Sequence, residues 1–295
     1  MEDPAPRALL HIGAPKCGSS ALQTALTERP DGRLANGQRL RYAAWTERSG
    51  RLVTGAQARA VGRASPFGYA SCPNPEGMAD PEGFWSALPR LLNTEAAAGR
   101  IPVLSNEAWI GQARAFDWRF AHDGAARSVA VLAFLRPPVD WLNAAYWQWA
   151  IWGGLGFTDW SLRPQGRYLL LDDLADWAAL PWVRLAVRSA RPDVLTGFAD
   201  ATGLTLAGSE ANASSPPALI RFLLRNRRFR PTAHTASVEF VVGRWCRFDS
   251  ARHPGLGRPW AIGPRDLARI AQATAPLADR LRQILPAAEA DAILA

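Results

Sequence analysis

Hydrophobic and polar positions along the chain alternate between two kinds of pattern. Short apolar runs typical of buried strands occur at Ala8–Ile12, Ile101–Glu107, Val129–Arg136 and, more weakly, Val183–Val187. Between them, apolar residues recur at helical spacing. Helices are predicted from Gly18 onward, at Phe84–Ala98, from Pro138 onward, near Pro192–Thr202, at Pro216–Asn226 and at Arg265–Leu285. Strands that alternate with helices predict an α/β fold with a mostly parallel central sheet flanked by helices.

The segment from Arg29 to about Glu82 follows neither pattern. It is rich in Gly, Pro, Arg and Asn and lacks sustained periodicity. This composition predicts an irregular insertion at about 29–82. A chain of 295 residues is long enough for one large globular domain, so we expect residues 1–295 to form a single domain that carries this insertion.

The composition indicates a globular protein with a large core. The chain has 295 residues, of which 48% are hydrophobic and 20% are charged. Its longest apolar run, Val129–Leu135, is far shorter than the ~18 residues that a membrane span requires. Three scattered cysteines (Cys17, Cys72 and Cys246) indicate neither a disulfide framework nor a metal site. We expect a cytoplasmic protein with no membrane span and no bound metal.

Positive charge dominates, with a net charge of +8 and a pI near 10.3. Such a charge fits anionic ligands, but a solvated arginine-rich surface explains it equally well. The same two readings apply to Arg221, Arg225 and Arg228, which share one predicted helix face. The 34 basic residues include one lysine, Lys16, which lies in a loop between two glycines.

That loop, from Gly13 to Ser20, joins the first predicted strand to the first predicted helix. Backbone N–H groups at a helix start, together with the hydroxyls of Ser19 and Ser20, form a cradle for an anion such as phosphate. Gly13 and Gly18 are spaced as in the nucleotide-binding loop of kinases and ATPases, but Lys16 precedes the second glycine instead of following it. This order disfavours a kinase.

The stretch HIGAPKCGSSALQ (His11–Gln23) resembles the 5′-phosphosulfate loop of bacterial P-loop sulfotransferases, in which Pro-Lys-x-Gly is followed by two hydroxyl residues. The resemblance implies a P-loop-type three-layer fold and the donor 3′-phosphoadenosine 5′-phosphosulfate. It also implies that the donor is bound by loop residues, namely Pro15, Lys16, Cys17, Gly18, Ser19 and Ser20.

Two further motifs extend the resemblance. In FLRPPVDWLNAAY, Arg136 ends a strand, as does the family arginine that contacts the 3′-phosphate of the donor. The family serine eight positions later is replaced here by Ala144, and Asn143 is the candidate replacement donor. In VLSNE, Glu107 takes the place of the proposed catalytic base. The stretch NASSPPALIRFLLR, at positions 212–225, is also similar to a segment of bacterial members.

The resemblance therefore implies in-line sulfuryl transfer to an acceptor hydroxyl. Glu107 would accept the proton of the acceptor, and Lys16 would stabilise the leaving phosphate oxygen. We expect the acceptor to be a carbohydrate or a small metabolite, and not a nucleic acid. The tryptophan-rich segment 141–182 belongs to the core or lines the acceptor site. The alternative function is a non-catalytic nucleotide- or glycan-binding protein.

Overall fold

A computed structural model describes residues 6–122, 129–163, 170–207, 217–227 and 260–294. Its central feature is a seven-stranded sheet in which six strands follow the order β2-β3-β5-β1-β6-β7, while β4 pairs with β3 alone. The strands are β1 Leu9–His11, β2 Asp31–Arg33, β3 Arg39–Thr46, β4 Arg51–Thr54, β5 Arg100–Ser105, β6 Val129–Leu135 and β7 Val183–Ser189.

The sheet is mostly parallel. Strands β3, β5, β1, β6 and β7 run in one direction, whereas β2 and β4 pair antiparallel with β3. Strand β1 lies between β5 and β6, and His11 at its end is in register with Ser105. The carboxyl ends of these central strands therefore meet at one edge of the sheet, where ligands of open α/β folds bind.

Eleven α-helices complete the described ranges. They are α1 Ser19–Glu28, α2 Ala56–Ala64, α3 Pro81–Ala97, α4 Ala113–His122, α5 Pro138–Gln148, α6 Phe157–Ser161, α7 Leu170–Ala178, α8 Val194–Thr202, α9 Pro217–Arg225, α10 Pro264–Ile284 and α11 Ala287–Leu294. Helices pack against the sheet at β3, β5 and β7. The predicted α/β fold, with a mostly parallel sheet flanked by helices, is confirmed. No helix within the described residues is long and apolar enough to cross a membrane.

The chain divides into two compact units. The first comprises Met1–Pro137, Leu169–Ala211 and Pro276–Ala295 and contains the whole sheet. The second comprises Pro138–Tyr168 and Asn212–Ala275 and contains α5, α6 and α9. The expected single domain over residues 1–295 stays a prediction. Some residues singled out in the sequence, namely Asn212–Pro216, Arg228 and Cys246, lie outside the described ranges.

The prediction that residues 29–82 are irregular is wrong for much of the segment. Strands β2, β3 and β4 and helix α2 occupy it, and β3 pairs directly with β5 in the sheet. Strand β3 is difficult to predict because its pattern of buried and exposed positions changes midway along the strand. Positions 39–42 alternate between exposed or half-buried arginine and buried apolar residues, whereas Ala43, Ala44 and Trp45 are all buried in succession. Neither period persists long enough to be recognised.

The first unit has a core rich in aromatic rings. Phe84, Trp109, Phe116 and Trp177 are fully buried, and neighbouring rings meet edge to face or tilted at centroid distances of 5.0–6.0 Å. The Trp177 indole N–H donates to the carbonyl oxygen of Ile110 at 2.9 Å, so its polar atom is satisfied as well. This core supports the turn that follows β5, where the candidate site begins.

Candidate functional site

The loop between β1 and α1 has the backbone of an anion cradle. Gly13, Lys16 and Gly18 all have positive φ, at 62°, 67° and 93°, and Lys16 is the one non-glycine residue with positive φ among the described residues. Gly18 is the N-cap of α1, and no side chain caps the helix. The first N–H groups of α1 and the positive end of its dipole therefore face the loop.

One side chain in this cradle lacks a hydrogen bond. Ser19 Oγ is buried, and it has no hydrogen-bond partner in the described part of the protein. A buried hydroxyl without a partner costs about 1–3 kcal/mol. A ligand oxygen at the helix N-terminus would remove this cost, so Ser19 fits an anion-binding role.

Glu107 lies directly against the loop. A Cβ atom on Gly13 would stand 2.4 Å from Glu107 Cα and 3.0 Å from Ser19 Oγ, so only glycine fits there. On the other side, a Cβ on Gly18 would stand 3.0 Å from the side chain of Val194 at the start of α8. The two glycines of the loop are therefore needed for close packing as well as for their backbone conformation.

Asn106 sets the position of Glu107. Its side-chain oxygen accepts a hydrogen bond from Ala108 N at 2.7 Å and caps the 3₁₀ turn Glu107–Gln112. Its backbone N–H donates to the carbonyl oxygen of His11 at 3.1 Å. Its amide group also donates to the carbonyl oxygen of Cys72 at 2.6 Å. These three bonds hold Glu107 at the carboxyl end of β5 with its side chain exposed.

A buried polar cluster lies beneath the loop. His11 Nδ1 and Ser105 Oγ share a hydrogen bond of 2.7 Å, and Gln23 Nε2 donates to the same hydroxyl at 3.0 Å. Burial lowers the pKa of His11 to about 3, so its ring is neutral. The cluster joins β1, β5 and α1, which carry the loop and Glu107. Sequence reasoning gave His11 no role, although its place with Gln23 in the loop motif was the available signal.

Cys17 is surrounded by candidate site residues. Its thiol is buried, and burial raises its pKa to about 12. The positive charges of Arg136 and Lys16, and a hydrogen bond with the Arg136 backbone, act in the opposite direction and lower this pKa. The charge of Glu107 raises the pKa further. Lys16, Glu107 and Arg136 therefore all lie within electrostatic reach of one sulfur atom. Because the thiol stays protonated, Cys17 supports the loop by packing, not as a nucleophile.

Tyr69 belongs to the same site, and sequence reasoning missed it. Its hydroxyl lies 3.5 Å from Ser20 Oγ. Burial raises the pKa of Tyr69, the Ser20 hydroxyl opposes this shift, and the charge of Glu107 adds to it. Tyr69 lies in the segment expected to be irregular, where no periodic pattern marked it.

Asn143 and Ala144 lie in α5, in the second unit. The side-chain oxygen of Asn143 accepts a hydrogen bond from Ala261 N at 3.0 Å. Three tryptophans of this unit, Trp141, Trp152 and Trp160, are buried, which fits the core interpretation for those rings. The role of Asn143 toward a ligand stays a prediction.

Comparisons with known proteins leave the family open. No protein-family profile matches the chain. No curated protein matches it either. Among solved structures it is similar to a sulfotransferase from Alicyclobacillus acidocaldarius, at 16% identity over 81% of this chain and 96% of that chain, with a TM-score of 0.41. A likeness of this size carries no argument about activity, so a function for this chain rests on its own residues.

Proposed function

We propose that the protein is a sulfotransferase that moves a sulfuryl group from 3′-phosphoadenosine 5′-phosphosulfate to an acceptor hydroxyl. The observation that carries the proposal is the contact between Gly13 and Glu107, where a Cβ would stand 2.4 Å from Glu107 Cα. This contact supports the proposal because it brings the loop that carries Lys16 close to the residue that carries the candidate carboxylate, Glu107. The reaction needs a cation next to the phosphate that becomes the leaving group and a carboxylate next to the acceptor hydroxyl that loses its proton.

The loop residues fit the 5′ end of such a donor. We assign the backbone of Pro15, Cys17 and Gly18, the hydroxyls of Ser19 and Ser20, and Lys16 to the 5′-phosphosulfate. The unpartnered Ser19 hydroxyl and the uncapped N-terminus of α1 support this assignment. We assign Arg136, just after β6, to the 3′-phosphate, with Asn143 as a second donor.

The proposed chemistry divides between two side chains. Glu107 takes the proton of the acceptor hydroxyl as the new oxygen–sulfur bond forms. Lys16 stabilises the charge that develops on the phosphate oxygen as the old sulfur–oxygen bond breaks. Lysine suits this role because its ammonium is a compact point charge on a flexible stem.

We propose a carbohydrate or small-metabolite hydroxyl as the acceptor and the cytoplasm as the location. Cys17 and Cys72 are free and buried, which fits a reducing compartment. No group of three or more His, Cys, Asp or Glu side chains in the described ranges is arranged to hold a metal ion. The proposed steps use none.

The alternative is a nucleotide- or glycan-binding protein without catalytic activity. Ala144 favours it, because the sulfotransferases that the sequence resembles carry a serine hydroxyl at this position. Calorimetric titration with 3′-phosphoadenosine 5′-phosphate, adenosine 5′-phosphosulfate and ATP tests binding. Selective binding of the first nucleotide supports the proposal, and preference for ATP contradicts it. Turnover of a ³⁵S-labelled donor over a panel of sugars and hydroxylated metabolites then separates an enzyme from a binding protein.

A further inference from the structure

Tyr69 has a backbone that is held firmly in place by its neighbours. The next residue, Ala70, donates its N–H to Thr27 Oγ1 in α1 at 3.0 Å, and its carbonyl oxygen accepts from the Tyr42 hydroxyl in β3 at 2.6 Å. Helix α2 packs against this stretch at Gly62, where a Cβ atom would stand 3.2 Å from the carbonyl carbon of Tyr69. The position of Tyr69 is therefore built into the fold.

The Tyr69 hydroxyl converges with that of Ser20 without a good mutual bond. Their oxygen atoms lie 3.5 Å apart, whereas a hydroxyl–hydroxyl bond is usually about 2.7–2.8 Å long. A ligand oxygen can therefore accept from both hydroxyls at the cost of only one long hydrogen bond. Two hydroxyls whose oxygen atoms lie this close together, next to a helix N-terminus, are suited to bind an oxygen of an anion.

The surroundings of Tyr69 indicate which part of the donor lies there. Ser20 belongs to the loop assigned to the 5′-phosphosulfate, and the charge of Glu107, the proposed base, acts on the Tyr69 hydroxyl. The group that lies between the phosphate and the acceptor is the sulfuryl group. Because its pKa is raised, Tyr69 remains a neutral donor at physiological pH.

We propose that the hydroxyls of Tyr69 and Ser20 together bind an oxygen of the transferred sulfuryl group, which makes Tyr69 a catalytic residue of this reaction. This inference rests on the proposed function. The two hydroxyls donate hydrogen bonds and do not transfer protons, so the proton still goes to Glu107 and the leaving charge to the phosphate. Their contribution is to orient the sulfuryl group and to stabilise charge on its oxygens during transfer.

The test compares two nucleotides that differ only in the sulfuryl group. Tyr69→Phe removes the hydroxyl and keeps the ring. We expect it to weaken binding of 3′-phosphoadenosine 5′-phosphosulfate about tenfold, as loss of a hydrogen bond to a charged group does, and to leave 3′-phosphoadenosine 5′-phosphate within twofold. The kcat should fall by about tenfold or more, with the KM of the acceptor little changed.

Two further variants complete the design. Ser20→Ala should also weaken binding of 3′-phosphoadenosine 5′-phosphosulfate more than binding of 3′-phosphoadenosine 5′-phosphate. The double variant should lose less affinity for the first nucleotide than the product of the two single losses. Phe67→Leu is the matched control, because Phe67 is exposed and its ring centroid lies 6.0 Å from that of Tyr69. It should change neither binding nor rate.

Equal losses for both nucleotides in Tyr69→Phe would overturn the inference, because the hydroxyl would then bind the nucleotide and not the sulfuryl group. Unchanged binding and rate would overturn it too. In both cases the proposed function stands, since wild-type protein still binds and transfers. If the wild-type protein binds neither nucleotide, the proposed function is wrong and this inference is wrong with it.

Discussion

The backbone of Glu107 occupies the space that a side chain on residue 13 would need, because a Cβ on Gly13 would lie 2.4 Å from the Cα of Glu107. Two segments that are 94 positions apart in the sequence therefore meet at backbone distance. The contact joins the loop after β1 to the turn after β5, two strands that are direct neighbours in the sheet. Any larger residue at position 13 must separate the candidate anion-binding loop from the candidate base.

Gly13→Ala is expected to abolish transfer and to destabilise the fold. Alanine at positive φ costs roughly 1 kcal/mol, and the clash with Glu107 adds to this. Gly37→Ala is the matched control, because Gly37 also has a positive φ, of 82°, but has nothing within 4 Å of its added Cβ. Urea unfolding and rate assays should show a larger loss at position 13. Equal losses at both positions would mean that backbone strain alone matters.

Lys16→Ala is expected to abolish sulfuryl transfer while the urea midpoint stays close to wild type, because the change removes a charge from a loop and no core volume. Lys16→Arg should also be severely impaired, since a planar guanidinium does not replace a compact ammonium. Rates and unfolding curves measured on both variants check this. Wild-type turnover by the arginine variant would show that the choice of lysine is incidental.

Glu107→Gln is expected to lower the transfer rate by about 10²–10⁴-fold, the usual contribution of a general base. Calorimetry should show almost unchanged nucleotide affinity. Glu76→Gln, at another exposed acid in the first turn of a 3₁₀ helix, is the control for loss of a surface charge. If the Glu107 variant keeps its rate and loses nucleotide affinity, Glu107 belongs to the donor site.

The assignment of the 3′-phosphate predicts opposite effects at two positions. Arg136→Ala should weaken 3′-phosphoadenosine 5′-phosphate far more than adenosine 5′-phosphosulfate, which lacks the 3′-phosphate. Ala144→Ser should tighten the first ligand severalfold, because it restores a hydroxyl donor to a charged acceptor. Arg48→Ala, at an exposed site, controls for net charge. Equal effects on both ligands would remove this assignment.

The buried His11 predicts a loss of stability in acid. Its pKa is about 3 in the folded protein against 6.5 ordinarily, so the unfolded chain binds a proton that the native protein does not. The free energy of unfolding therefore decreases as pH falls from about 6.5 toward 3. Between pH 6.5 and 4.5 this single group contributes roughly 2–3 kcal/mol, at about 1.4 kcal/mol per pH unit.

His11→Asn removes the titrating group and keeps a polar atom near Ser105. Urea unfolding at pH 7.5 and pH 4.5 should show a smaller difference between the two pH values in this variant than in wild type. The same difference in both proteins would mean that other groups cause the acid instability.

The sequence was sufficient for elements with a persistent period. β1, β5, β6 and β7 were predicted close to their observed bounds, and so were α3, α8, α9 and α10, because each keeps one pattern over its length. The segment 29–82 failed for the opposite reason. Its strands are short, or their burial changes from partial to complete midway, as in β3. Pairing with β5 stabilises β3 as a strand although its local sequence pattern does not predict one.

The candidate site shows the same division. Lys16, Glu107 and Arg136 each come after the carboxyl end of a recognisable strand, so topology alone predicts that they share one edge of the sheet. Tyr69 is different, because its approach to Ser20 depends on hydrogen bonds that the next residue, Ala70, makes with Thr27 and Tyr42. Contacts between segments distant in sequence leave no local pattern to read.

Two outer strands of the sheet as described, β2 and β7, differ in how they avoid pairing with another molecule. β2 is three residues long, with exposed Asp31 and Arg33. β7 is longer, and α11 packs against it through an ion pair of 2.9 Å between Arg188 and Glu289. Charged residues thus limit pairing at β2, and a packed helix lies against β7. Breaking the ion pair between Arg188 and Glu289 is therefore expected to loosen the attachment of α11 to β7 and to leave this seven-residue strand more accessible to other molecules.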